Sequence, residues 1–202
     1  MIKRTFYNLP AEKREKIIDV TRREFSKGNR KKITINSVIK NAGISRGSFY
    51  QYFDDKLDLV ELITEDMVSR IVDFIRDELM LNGGDIFEIP MRIFDLMISD
   101  NRQYNDVLAL TDNTNQNNAL VADYMRYRAR KPDFYGEFKE YIDKDVLAVN
   151  GDEDIKCIVF MMFDAVKSAV ENAKSHSKNI DKERAILYRK IQILKNGAIV
   201  KK

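Results

Sequence analysis

The sequence predicts an all-α protein, on three observations. Its 202 residues include only three prolines and eight glycines. Apolar residues recur along most of the chain at the i, i+3, i+4, i+7 spacing of one helix face. Short breaker clusters separate these periodic segments: Asn82-Gly83-Gly84, Lys131-Pro132-Asp133 and Asn150-Gly151-Asp152.

Each element has its own signal. Pro10 opens a helix to about Ser26, since proline fits a first helical turn, with Ile17, Ile18 and Phe25 on its buried side and Gly28 as its stop. A short helix covers Thr34 to Asn41. Thr34 is its N-cap, Ile35, Val38, Ile39 and Ala42 share a face, and Gly43 supplies the left-handed turn that ends it. Ser45 caps a second short helix, Arg46 to Tyr52. Asp54 or Asp55 caps a long helix over about 55–80, with an apolar stripe at Val60, Ile63, Met67, Ile71 and Phe74. Beyond Asp85 the pattern predicts helices over roughly 88–99, 102–111, 116–130, 134–147, 153–174 and 182–197.

Composition narrows the function. Hydrophobic residues make up 44% and charged residues 33%, the balance of a globular chain. The longest apolar run, Cys157 to Phe163, is far short of the roughly 18 residues of a membrane helix, so no membrane partner is expected. The basic N-terminus has no apolar signal core behind it, and one cysteine makes no internal disulfide; a cytoplasmic protein is expected. Charge is unevenly spread. Residues 1–56 hold 14 Lys+Arg against 6 Asp+Glu, a net +8, while the remainder holds 21 against 26, a net −5. A basic head on an acidic body points to a polyanionic partner, although a solvated basic surface gives the same count.

Enzyme chemistry finds little support. The chain has no glycine loop to cradle phosphate and no Cys/His cluster to hold a metal, so no catalytic residue, metal or cofactor is expected. The one histidine, His176, sits in a polar stretch and reads as a surface residue; Cys157 sits in an apolar run and reads as a buried thiol.

Residues 34–53, TINSVIKNAGISRGSFYQYF, carry the function. Two short helices about a glycine turn are the parts of a helix-turn-helix. Its second helix must bury one face and show small and polar residues outward to enter a DNA major groove. Ile44, Phe49 and Phe53 suit the core, which leaves Ser45, Arg46, Gly47, Ser48, Tyr50 and Gln51 outside. Arginine pairs with guanine, glutamine with adenine, and hydroxyls reach phosphates. Gly47 weakens so short a helix, which points to close approach of its backbone to something else.

These residues resemble the tetracycline-repressor (TetR) family: Thr34, then Ala42-Gly43-Ile44-Ser45, Arg46-Gly47, Tyr50-Gln51-Tyr52-Phe53 and Lys56-Leu57, with Tyr52 where the family usually has histidine. The resemblance covers about a quarter of the chain. It implies an N-terminal three-helix helix-turn-helix domain (1–56) joined by a long helix to a helical ligand-binding and dimerisation domain (57–202). It implies a transcriptional regulator, a repressor released by a small-molecule effector from a pseudo-palindromic double-stranded operator that it binds as a homodimer. The expected DNA contacts are Thr34, Asn36, Ser45, Arg46, Gly47, Ser48, Tyr50, Gln51, Tyr52 and Lys56. A ligand-independent regulator or activator is the alternative within the class; a helical small-molecule binder or enzyme with an incidental basic head is the alternative outside it.

Two further expectations concern the body. The 153–174 segment is apolar nearly all round, and with the 182–197 stripe it suits a four-helix bundle across a two-fold axis, through Ile158, Met162, Ala165, Ala169, Leu187, Ile191 and Leu194. An effector pocket is expected among Phe94, Met97, Tyr104, Tyr124, Tyr127, Phe160 and Asp164, where a buried acid would favour a cationic ligand unless it pairs with Lys167.

Overall fold

The computed structural model describes residues 2–26, 34–99, 132–148, 151–175 and 179–198. The helices expected over 102–111 and 116–130, and with them Tyr104, Tyr124 and Tyr127, lie outside these residues, as does His176. The elements are α1 (Arg4–Tyr7), α2 (Ala11–Ser26), α3 (Ile35–Ala42), α4 (Arg46–Tyr52), α5 (Lys56–Leu81), α6 (Ile89–Ile98), α7 (Pro132–Gly136), a 3-10 turn (Lys139–Tyr141), α8 (Asp152–Ser175) and α9 (Ile180–Ala198). No described helix is long and apolar enough to cross a membrane.

The chain divides into two compact units, one containing Met1–Arg70 and the other Ile71–Asn101 with Pro132–Lys202. The first is the head. Phe6, Phe25, Val38, Phe49, Phe53, Leu59 and Ile63 form its buried core with their neighbours. The head therefore runs past the expected 56/57 boundary, because Leu59, Ile63 and Met67 of α5 complete its core. The start of α5 is fixed reciprocally: Asp55 Oδ1 accepts the Leu57 N–H at 2.6 Å, and the buried Asp58 carboxylate accepts the Asp54 N–H at 2.6 Å. Further along, the buried Arg22 of α2 donates to Asp19 at 2.9 Å and to Asp66 of α5 at 2.5 Å, so its charge is compensated where water is excluded.

In the second unit α8 packs against α6 and α9. Its inner face carries Ile155, Ile158, Val159, Met162, Val166, Ala169, Val170 and Ala173, with Leu187 and Ile191 of α9 and Phe94 of α6 also buried. Arg184 grips Asp95 with two hydrogen bonds, at 2.7 and 2.8 Å.

Two expectations need correction. The helix expected over 134–147 stops early: after α7 and the 3-10 turn the chain runs against the turn at Gly84, whose carbonyl accepts the Asp143 N–H at 3.0 Å. Gly84 has φ 88°, and a Cβ there would stand 2.5 Å from the Asp143 nitrogen, so only glycine admits this approach. The α5 stripe also shifts. Val60, Ile63 and Met67 are buried, but Ile71 and Phe74 are only half-buried, and the buried line continues through Val68, Val72, Ile75 and Leu79. Residues from Ile71 onward in α5 belong to the second compact unit.

Candidate functional site

The site is built from α3, the turn and α4. Thr34 Oγ1 accepts the Ser37 N–H at 3.1 Å, which fixes the start of α3. Gly43 ends it at φ 69° and ψ 35°, and the Ile39 carbonyl accepts both the Gly43 N–H at 3.0 Å and the Ile44 N–H at 3.2 Å. Ser45 Oγ then accepts the Ser48 N–H at 3.0 Å and starts α4. Phe49 and Phe53 are fully buried with ring centroids 5.2 Å apart, so α4 is anchored along one side.

That anchoring decides what faces water. Thr34, Asn36, Ser45, Arg46, Gly47, Tyr50 and Gln51 are exposed, and Ser48 and Lys56 half-buried. Arg46 draws α3 and α4 into one polar cluster: its Nη1 lies 3.4 Å from Asn36 Oδ1, and its guanidinium lies 6.0 Å from the centre of the Tyr50 ring. Gly47 has helical backbone, and a Cβ there would meet nothing nearer than Ser45 Oγ at 3.8 Å. Nothing described within the chain calls for glycine at that position.

Tyr52, expected among the outward contacts, is instead a core residue, 6% exposed. Its ring stacks edge-on to Phe6 and Phe53, and the Lys13 ammonium lies 5.9 Å from its centre. At 3.6 residues per turn Tyr52 shares the inward side with Phe49 and Phe53, which polarity alone hid.

The N-terminal segment, which carries no site residue expected from the sequence, joins α4. The Lys3 N–H donates to the Tyr52 carbonyl at 2.9 Å, Lys3 Nζ to the Tyr50 carbonyl at 2.8 Å, and Thr5 Oγ1 to the Gln51 carbonyl. Lys3 Nζ also lies 2.7 Å from Asp54 Oδ1, and that bond holds the Asp54 carboxyl below its usual range. The available signal was the four-residue spacing of the apolar pair Ile2 and Phe6, both buried.

The body residues sort differently from expectation. Phe94 is wholly buried, while Met97 and Phe160 are half-buried. Asp164 is exposed, and Lys167 lies 3.8 Å from Glu171, so neither the buried acid nor its expected partner is found. Cys157 is likewise exposed, not a core thiol. Ile158, Met162, Ala169, Leu187 and Ile191 are already covered by the chain's own packing, whereas Ala165 and Leu194 are half-buried. The apolar residues left outside on these helices are Met161, Ile186, Tyr188 and Ile193, at 47%, 38%, 54% and 65% exposure.

Known proteins share this arrangement. Residues 17–63 match the family model of bacterial regulatory proteins, tetR family. The HTH-type transcriptional regulator YvdT of Bacillus subtilis (strain 168) is 28% identical over 102 residues, 48% of this chain and 50% of that protein. The chain thus spans about half the length of the curated relative it matches. Among solved structures, the SmeT–triclosan complex aligns over 94% of this chain and 92% of that one with TM-score 0.66 at 16% identity. The regulator FadR from Bacillus subtilis in complex with stearoyl-CoA aligns over 91% and 98% with TM-score 0.58 at 15% identity. At such identities these two likenesses speak for the fold alone. The helix-turn-helix geometry, the family match over 17–63 and the related regulator together make the N-terminal part of this chain similar to bacterial regulatory proteins of the tetR family.

Proposed function

We propose that the chain is a DNA-binding transcriptional regulator that reads duplex DNA with the outward face of α4. The observation that carries this reading is the division of α4 itself: Phe49, Tyr52 and Phe53 are buried, while Arg46, Gly47, Tyr50 and Gln51 face water beside Asn36. Gly47 belongs to the same argument. A helix position that costs stability and serves no described contact in the chain is explained by a partner whose surface comes close to the backbone. Lys56 in the first turn of α5 adds charge to the positive end of a helix, where phosphates bind.

The regulator acts as a homodimer on a pseudo-palindromic operator, through the exposed apolar residues of α8 and α9, Met161 with Ile186 and Ile193. It is a repressor that a small-molecule effector releases; the triclosan and stearoyl-CoA complexes of the two structurally similar proteins support an effector site in the helical body. Effector and operator then oppose each other reciprocally. The test is a titration of the protein against a duplex selected from a random pool and against a scrambled duplex, at several salt concentrations. Binding that is selective and falls steeply with salt is expected. Indifference to duplex DNA at low salt overturns the reading.

A further inference from the structure

We propose that Lys3 and Thr5, outside the helix-turn-helix, are positioning residues for duplex recognition: they hold the carbonyl end of α4 and so keep its outward face in reading geometry. The inference rests on the DNA-binding reading above and adds residues that reading does not use.

The physical need is plain. α4 has seven residues, one of them glycine, and a helix so short has little stability of its own. The last carbonyls of any helix have no partner within it. Here three successive carbonyls, those of Tyr50, Gln51 and Tyr52, all accept from residues 3 and 5, with the two Lys3 bonds at 2.8 and 2.9 Å. The donors are themselves anchored, because Ile2 and Phe6 on either side of them are buried in the head core. The Lys3 ammonium is engaged by the Tyr50 carbonyl and by Asp54. Tyr50 and Gln51 are both clamp acceptors through their carbonyls and outward candidates through their side chains. Fraying of the clamped end therefore displaces the groups that would read a base or grip a phosphate, without removing any of them.

The test uses the full chain and the variants Thr5→Val, Lys3→Met and Thr5→Ser. The probes are a duplex selected by the wild type from a random pool and a scrambled duplex. Thr5→Val changes no charge, so it should lower affinity for the selected duplex about tenfold, barely move the scrambled one and leave the salt slope unchanged. Lys3→Met should likewise weaken the selected duplex more than the scrambled one, and amide hydrogen exchange without DNA should accelerate about tenfold in α4 while α2 and α5 keep their protection. Thr5→Ser, which keeps the hydroxyl, should restore both. Equal losses on both duplexes, or no loss on either, overturn the proposal. So does exchange that quickens in α2 together with α4, since the contacts then hold the whole head. A wild type that binds neither duplex overturns the DNA-binding reading first, while the exchange measurement still decides whether residues 3 and 5 hold α4.

Discussion

Arg46 and Lys56 are both cationic and both near α4, yet they should behave differently. Arg46 is exposed at the start of α4, where a long side chain reaches a base edge. If it pairs with guanine, Arg46→Ala costs about 1–3 kcal/mol per half-site and relaxes preference at one base pair. Lys56→Ala should weaken every duplex alike and lower the salt slope by about one ion. Affinity titrations over a salt series separate the two, and identical behaviour would assign Arg46 to phosphate. A second residue-level expectation concerns Tyr135. It is 4% exposed, and burial, then the charge of the nearby Asp152 carboxylate, push its pKa up to about 12. The unfolded chain loses this proton near pH 10, the folded one only near 12, so the contribution is intact below pH 10 and is lost as pH rises through that window. Tyr135→Phe should therefore remove that alkaline loss. Melting curves at pH 7 and pH 11 check it; a variant that loses as much stability between them as the wild type overturns it.

At the scale of elements, caps decide α3 and α4. Ser45→Ala should cost about 1 kcal/mol by releasing the Ser48 N–H, and Gly43→Ala about 1–2 kcal/mol by forcing an alanine to φ 69°. Chemical denaturation measures both, and a Gly43→Ala variant as stable as wild type would mean that the turn can re-form without glycine. These same local signals made the helix-turn-helix legible in the sequence, because Thr34, Gly43 and Ser45 each act on residues a few positions away. What was not legible depends on distant partners. Lys3 and Thr5 meet the carbonyls of residues 50–52, far along the chain, and Asp143, expected inside a helix over 134–147, instead donates its N–H to the carbonyl of Gly84, far earlier in the chain. The body misled for another reason. Phe160-Met161-Met162-Phe163 reads as buried on every side, but the fold buries Met162 and leaves Met161 nearly half exposed, and Asp164 faces water with it. Counting apolar residues marks α8 as a helix with much to cover, and only the packing says which side its own chain covers.

For the whole molecule, the exposed apolar residues on α8 and α9 predict association. Sedimentation at micromolar concentration should give one species near twice the 23.6 kDa chain mass. Ile193→Glu combined with Met161→Lys should shift it to the single-chain mass and weaken operator binding, leaving the fold intact because neither side chain is buried within the chain. A wild type that stays monomeric removes the basis for a two-fold operator. Gly47 adds a conflict between durability and use. Replacing it by alanine should make the chain hardier, by about 1 kcal/mol, since alanine is the better helix former and the space beside it is open. The same methyl group would stand where the duplex must approach. A screen that rewards heat resistance alone would therefore favour Gly47→Ala and deliver a protein that melts later and no longer grips its operator, so any selection for robustness has to be run with binding as a second requirement.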